Sequence, residues 1–140
     1  MHTNLWQGTK IRLRAIEPRD WEAFYQFDQE TEGARLGWQI NFPSSAEWSR
    51  QWTQEQASAQ RKDDNVRLAI ETLQGEVVGS LNTHGCDHRN GTFEYGIALG
   101  MQYWRKGYAS EAITLLLHYM FGELRYQNVT WLFTPSTKRR

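Results

Sequence analysis

Six consecutive residues, Trp104-Arg105-Lys106-Gly107-Tyr108-Ala109, have the composition of a phosphate-binding turn. They supply two cations and a glycine at the point where a helix is predicted to begin. A helix N-terminus presents unpaired N–H groups and a partial positive charge, so it favours an anion such as phosphate. The segment follows neither of two familiar phosphate motifs, G-x-x-x-x-G-K-[ST] and G-x-G-x-x-G. A tight turn that only requires a glycine is the alternative interpretation.

The segments on either side of this turn predict the elements that must position it. Residues 93–99 alternate large apolar side chains with Glu94, Gly96 and Ala98, which is the period of two expected of a strand. A second strand is predicted at residues 128–133, so the passage is expected to form a right-handed parallel crossover. The helix between the strands is predicted from apolar residues at helical spacing: Ala109, Ala112, Ile113, Leu116 and Met120.

The turn resembles the Q/R-x-x-G-x-G/A loop that holds the pyrophosphate of acetyl-CoA in the GCN5-related N-acetyltransferase (GNAT) superfamily. The surrounding residues 103–112 are most similar to the ribosomal-protein-modifying branch, in which Trp in the first position and Gly-Tyr-Ala before Glu-Ala are usual. Arg105 departs from that branch, where glycine is more common. The similarity extends to residues 11–14 and covers most of the chain. It implies acetyl-CoA as co-substrate and these donor-binding residues: Ile97, Ala98, Leu99, Trp104, Arg105, Lys106, Gly107, Tyr108, Ala109 and Ser110.

The fold that this resemblance implies is α/β (α+β), with a mixed, mostly antiparallel sheet flanked by helices. The predicted order β-α-α-β-β-β-α-β matches the first eight elements of the family, whose fourth and fifth strands splay apart around acetyl-CoA. The family then continues with a helix and two strands that find no counterpart here. We therefore expect residues 1–140 to form one C-terminally incomplete domain with an exposed strand edge, a homo-oligomer, and weak or absent activity in this form.

The remaining elements follow from local signals. A first strand is predicted at residues 9–16, and a helix is expected to begin near Pro18. The capping-box pattern Ser44-x-x-Glu47 predicts a second helix that runs to about residue 61. A hairpin turns at residues 74–75. Residues 84–88 contain two His, one Cys and one Asp, but their spacing fits no zinc pattern, so we predict a polar connection and no metal.

Acetyl transfer to an amine also needs a group that takes a proton, because the free amine is mostly protonated at neutral pH. Glu94 is the candidate, since it shares a strand face with Gly96 and Ala98, whose small size leaves room for a substrate. Some members of the family carry a catalytic glutamate close to this position. Backbone N–H groups of the same strand could stabilise the oxyanion. The alternative is an exposed carboxylate paired with Arg67 or Arg89.

The acceptor site is expected in the segment 28–43, which has no periodicity and begins with three carboxylates. Trp38 and Phe42 are candidates for contacting the substrate; alternatively, they cover the core beside a solvated loop. An acidic loop suggests a cationic amine, which fits a protein N-terminus, a polyamine or another small amine equally.

Composition limits the classes of partner. Sixteen basic and sixteen acidic residues give a formal net charge of +0, so no nucleic-acid partner is expected. The single cysteine suits a reducing cytosol, and no apolar run approaches the roughly 20 residues of a membrane span. We expect a cytoplasmic N-acetyltransferase; the alternatives are a CoA-binding or inactive assembly module on the same scaffold, and an unrelated phosphate-binding α/β domain.

Overall fold

The computed structural model describes residues 4–32, 41–61 and 63–130. The strands are β1 Ile11–Ala15, β2 Arg67–Thr72, β3 Val77–Asp87, β4 Thr92–Leu99 and β5 Asn128–Thr130. The α-helices are α1 Trp21–Asp28, α2 Ala46–Ser58 and α3 Tyr108–Leu117. Short 3-10 helices lie at Pro18–Asp20 and Met101–Tyr103, and a π-helix, His118–Glu123, continues α3.

The five strands form one sheet in the order β1-β2-β3-β4-β5. Neighbours from β1 to β4 are antiparallel, whereas β4 and β5 are parallel and are joined through α3. The predicted mixed, mostly antiparallel sheet and the parallel crossover are therefore confirmed. The predicted continuation of the last strand through residues 131–133 lies outside the described residues, as does Trp38.

Both faces of the sheet are covered by helices, because side chains along each strand point alternately to the two faces. One face packs against the buried stripe of α3 and its π-helical continuation, formed by Ala112, Leu116 and Met120. A smaller cluster, in which Ala69 of β2 meets Phe24 of α1 and Trp52 of α2, covers part of the other face. The sheet residues of the larger cluster are Ile11, Leu13, Leu68, Ile70, Val78, Leu81, Phe93 and Tyr95.

An ionic network fixes the entry to α1 against β1 and β2. Arg14 donates two hydrogen bonds to the carboxylate of Asp20, at 2.8 and 2.9 Å, and a third to Glu71 at 2.9 Å. Arg12 donates to the other oxygen of Glu71 at 2.6 Å. The Asp20 side chain is only 1% exposed, so its charge depends on Arg14 for compensation.

The structure corrects the prediction that residues 84–88 form a connection between strands. His84, Gly85, Cys86 and Asp87 belong to β3, where His84 pairs with Glu94 and Asp87 pairs with Thr92. An irregularity in the register separates these two pairs, and Gly85 there has φ +58°. A bulge that uses a left-handed glycine lets a polar, non-alternating sequence stay in a ladder, so periodicity does not reveal it.

The predicted start of the second helix was wrong by one residue. The N-cap is Ser45, whose hydroxyl accepts the N–H of Trp48 at 3.0 Å, and not Ser44. Two adjacent serines offer the same capping group, so packing of the helix decides between them. The helix also ends at Ser58, before the predicted residue 61.

Candidate active site

The predicted phosphate turn joins the end of β4 to the start of α3 in a left-handed conformation. Arg105 has φ 65° and Gly107, the N-cap of α3, has φ 83°. Glycine adopts this conformation without a steric penalty, whereas arginine does not. Residues 105–107 are exposed, and Gly107 makes no side-chain capping bond, so the first turn of α3 is open to a ligand from solvent.

Two aromatic residues anchor the turn to the sheet. The indole N–H of Trp104 donates to the carbonyl oxygen of Leu99 at 3.1 Å, which closes the turn against the end of β4. The Tyr103 hydroxyl donates to Glu76 at 2.6 Å. Burial and the neighbouring Glu76 carboxylate raise the pKa of Tyr103 to about 12, so the phenol stays protonated. The Trp104 side chain therefore positions the turn through its hydrogen bond to the main chain of Leu99.

The segment before β1 also holds the turn, through a contact that no sequence pattern predicted. The Glu111 carboxylate accepts the N–H groups of Lys10 at 2.8 Å and Ile11 at 2.9 Å, and the hydroxyl of Thr9 at 2.9 Å. A β-carbon at Gly8 would collide with the same carboxylate, so glycine there permits the close approach. Burial alone would raise the pKa of Glu111, but these hydrogen bonds outweigh it and lower the pKa.

Lys10 reaches the turn itself. Its ammonium donates to the carbonyl oxygen of Lys106 at 3.2 Å. No periodicity or local motif could have placed it there, because residues 10 and 106 are 96 positions apart. Glu111 follows the turn in the sequence, but no local pattern indicates that its carboxylate binds the main chain of Lys10.

Glu94 lies on β4 and is directly opposite His84 on β3. Its Oε1 is 3.3 Å from His84 Nε2, and both side chains are 42% exposed. His84 Nδ1 is 2.7 Å from Asn82 Oδ1 on the same strand. If the amide oxygen of Asn82 accepts the Nδ1 proton, Nε2 is the ring nitrogen left to face Glu94. The basic side chain beside Glu94 is thus His84, whereas the sequence suggested Arg67 or Arg89.

The remaining predicted donor-binding residues lie at the end of β4 and in the first turn of α3. Ala98 is exposed, whereas Ile97 and Leu99 are half-buried. Within the described part of the chain, β5 pairs with β4 only as far as Glu94, opposite Thr130. Tyr108, Ala109 and Ser110 form the first turn of α3, immediately after Gly107.

Of the two predicted acceptor residues, only Phe42 belongs to the described part of the chain, and it is 95% exposed. Trp38 lies outside the described residues. One carboxylate of the acidic segment, Glu30, accepts the N–H of Met101 at 2.9 Å and so ties this segment to the residues after β4. Trp48 and Trp52 stack at 6.5 Å on α2, and Arg67 lies 5.5 Å above Trp52.

A cavity of about 260 Å³ lies elsewhere, between the segment before β1 and the α3 side of the sheet. It is lined by Trp6, Leu68, Leu116 and Met120 among others, and no predicted site residue borders it. The predicted donor-binding and catalytic residues therefore lie outside this cavity. In residues 4–32, 41–61 and 63–130 there is no cluster of His, Cys, Asp or Glu able to hold a metal ion, and no helix long and apolar enough to cross a membrane.

Comparison with known proteins identifies relatives along nearly the whole chain. Residues 10–139 match the family model described as an acetyltransferase (GNAT) domain. The chain is 38% identical over 129 residues to the SPbeta prophage-derived uncharacterized N-acetyltransferase YokL of Bacillus subtilis (strain 168). That match covers 92% of this chain and 70% of the relative.

Solved structures agree in fold. A candidate ribosomal-protein-serine acetyltransferase from Vibrio cholerae superposes with a TM-score of 0.78 at 20% identity, over 96% of this chain and 76% of that one. The microcin C7 self-immunity acetyltransferase MccE, solved in complex with acetyl-CoA and AMP, has a TM-score of 0.69 at 18% identity, over 85% and 66% of the two chains.

Proposed function

This chain belongs to the GNAT family of acetyltransferases, and we propose that it moves the acetyl group of acetyl-CoA to a primary amine. The observation that carries the proposal is that β4 joins a carboxylate, Glu94, to the turn at residues 104–109, whose cations Arg105 and Lys106 are exposed. The stretch of extended strand from Glu94 to Leu99 spans about 17 Å. Acetyl-CoA is an elongated donor whose phosphates and thioester lie far apart, and it suits a site of this length.

In this proposal the turn holds the phosphates of the donor. Arg105 and Lys106 supply positive charge, and the N–H groups at the start of α3, from Gly107 to Ala109, point toward the anion. The pantetheine arm then runs beside Ile97, Ala98 and Leu99. N–H groups along this stretch of β4 stabilise the negative charge that develops on the thioester oxygen.

Glu94 takes the proton that the attacking amine must lose. The amine nitrogen forms a bond to the acetyl carbonyl carbon, the C–S bond breaks, and the CoA thiolate leaves. His84 is within 3.3 Å of Glu94 and can pass the proton on toward solvent. General-base assistance of this kind contributes about 10²–10⁴-fold to a rate.

The acceptor is proposed to be a cationic amine: a protein N-terminus, a polyamine or another small amine. The support is the carboxylate of Glu94 together with the acidic segment that begins at Asp28. Trp38 and Phe42 stay predictions as acceptor contacts. The homo-oligomeric state, the cytoplasmic location and the absence of a nucleic-acid partner also stay predictions.

Donor binding tests the proposal without knowledge of the acceptor. Thermal unfolding is measured with acetyl-CoA, CoA and ATP for the wild type, Gly107→Val and Gly91→Val. Acetyl-CoA at about 100 times its Kd stabilises the wild type by roughly 2.7 kcal/mol. Gly107→Val removes most of this stabilisation, because a β-branched side chain on the left-handed turn blocks the approach of phosphate.

Gly91→Val is the matched control. Gly91 has φ +69°, and a β-carbon added there would meet Gln127 only at ordinary contact distances of 3.4–3.5 Å. It lies in the β3–β4 turn, at the opposite end of β4 from the phosphate turn, so valine imposes backbone strain of the same kind away from the site. It lowers the unfolding temperature but leaves the ligand-induced shift unchanged. Equal shifts in Gly107→Val and the wild type, or an ATP shift as large as that of acetyl-CoA, would contradict the proposal.

A further inference from the structure

We propose that Lys10 is a third cation of the donor-phosphate turn and contacts a phosphate of bound CoA, positioned there by the Glu111 carboxylate. This inference rests on the proposed function, because it concerns the same donor. It adds a binding residue from outside the motif at residues 104–109, at the opposite end of the chain.

The position of the Lys10 ammonium carries the inference. Nζ lies 3.2 Å from the carbonyl oxygen of Lys106 and 2.6 Å from the point where a β-carbon of Gly107 would stand. It therefore occupies the space that glycine leaves open above the turn. A lysine ammonium has three donors, and the bond to Lys106 uses one of them. The other two remain for a ligand, and Lys10 is exposed to solvent.

Glu111 explains why Lys10 is held at this place. Its carboxylate accepts the main-chain N–H groups of Lys10 and Ile11, and the Thr9 hydroxyl, at 2.8–2.9 Å. Glu111 belongs to the first turns of α3, the helix whose N-terminus would receive the phosphate. The main chain that carries Lys10 is thus fixed to the phosphate-binding helix and does not depend on the long lysine side chain for its position.

The charges support an anionic ligand. Arg105 and Lys106 follow one another in the turn, and Lys10 adds a third positive charge beside their backbone. The Glu111 carboxylate, in the first turn of α3, is already committed to backbone N–H groups. A pyrophosphate or a 3′-phosphate would compensate these cations, because charge-assisted hydrogen bonds to phosphate oxygens are short and strong.

Calorimetric titration with acetyl-CoA at low and at high salt tests the inference. The variants are Lys10→Gln, which removes the charge, Lys10→Arg, which keeps it, and Arg89→Gln as a control. Arg89 is an exposed cation in the β3–β4 turn, at the other end of β4 from the phosphate turn. We expect Lys10→Gln to raise the Kd about 10-fold at low salt, and less at high salt, where screening weakens the lost contact.

The Kd of Lys10→Arg for acetyl-CoA should stay within about 3-fold of the wild-type value. The Kd of Arg89→Gln should equal the wild-type value. A Kd for Lys10→Gln equal to that of the wild type overturns the inference and leaves the proposed function standing. An equal loss at both salt concentrations means that Lys10 only holds the Lys106 carbonyl, and it also overturns the phosphate contact. A wild type that binds neither acetyl-CoA nor CoA overturns the proposed function itself.

Dephospho-CoA, which lacks the 3′-phosphate, shows which phosphate is involved. If Lys10→Gln weakens CoA and dephospho-CoA by the same factor, Lys10 contacts the pyrophosphate. If it weakens only CoA, Lys10 contacts the 3′-phosphate. Both results support the inference, and unfolding of each ligand-free variant confirms that the comparison is between folded proteins.

Discussion

The pair Glu94–His84 is the residue-scale feature on which turnover should depend. Both side chains are 42% exposed and their nearest polar atoms are 3.3 Å apart, so the carboxylate can reach a substrate while it keeps a titratable neighbour. A β-carbon at Gly85 would lie 3.3 Å from the other Glu94 oxygen, so the carboxylate rests against β3. The cross-strand register therefore orients the proposed base before any substrate binds.

Glu94→Gln is expected to lower the rate of acetyl transfer by about 10²–10⁴-fold, because glutamine cannot accept the amine proton. The Kd for acetyl-CoA should stay near that of the wild type, and the deficit should shrink as pH rises and the free amine becomes abundant. The measurement is the pH dependence of CoA thiol release with spermidine and with an N-terminal peptide as acceptors.

The matched control is Glu55→Gln, which neutralises an exposed carboxylate of α2 outside the site. It should turn over as the wild type does. Unchanged turnover of Glu94→Gln at neutral pH would make Glu94 a structural strand residue, paired with His84 and nothing more.

At the scale of elements, the turn between β4 and α3 combines function with backbone strain. Arg105 has φ 65°, a conformation that costs a non-glycine residue roughly 1–2 kcal/mol. Glycine is more common here in the similar branch of the family, and the strain supplies a physical reason. The arginine is tolerated because Trp104, Tyr103 and Lys10 hold the turn from several sides.

Arg105→Gly is accordingly expected to change stability and affinity in opposite directions. The free energy of unfolding should rise by up to about 1 kcal/mol, since relief of strain exceeds the added entropy of the unfolded glycine. The Kd for acetyl-CoA should rise several-fold because one cation is lost. Urea denaturation and calorimetric titration measure the two effects separately.

Arg125→Gly provides the comparison. Arg125 also has φ 65°, and it follows the π-helix, away from the phosphate turn. Its replacement should stabilise the protein to a similar degree and leave the affinity for acetyl-CoA unchanged. A fall in stability in both variants would show that the left-handed positions are not strained.

At the scale of the whole molecule, the Arg14–Asp20–Glu71 network links strands β1 and β2 to the short 3-10 helix that leads into α1. Burial alone would raise the pKa of Asp20, but hydrogen bonds from Arg14 and the Glu17 N–H outweigh it and lower the pKa below 3.8. At Glu71, burial alone would likewise raise the pKa, but hydrogen bonds from Arg12 and Arg14 outweigh it and lower the pKa of Glu71 below 4.5. Because both folded-state pKa values are depressed, the network stabilises fully above these ordinary values and is lost as pH falls through the lowered ones.

Arg14→Met is expected to destabilise the protein by about 3–5 kcal/mol at pH 7, since it leaves the buried Asp20 charge unpaired. The loss should be smaller at pH 3.5, where a protonated Asp20 needs no partner. Urea denaturation at the two pH values makes the comparison.

Arg19→Met, which removes a largely exposed pair with Glu17 at 3.8 Å, should change stability by less than about 1 kcal/mol at either pH. An equal loss for Arg14→Met at both pH values would contradict this account.

The sequence by itself determined the parts whose signals are local. The alternation at residues 93–99, the glycine at 107 and the apolar stripe of α3 predicted strand, turn and helix in their observed order, together with the parallel crossover. These features depend on the period of a single element or on the conformational needs of one residue. The same local motif was sufficient to indicate the GNAT family, which the comparisons confirm.

Only the tertiary structure decided which distant side chains meet at the site. His84 faces Glu94 because a bulge at Gly85 keeps residues 84–87 in β3, whereas their polar sequence resembles a connection. Lys10 and Glu111 meet because β1 begins beside α3, with about a hundred residues between them. Such contacts are set by the packing of whole elements and leave no periodic pattern in the chain, so local sequence signals could not place them.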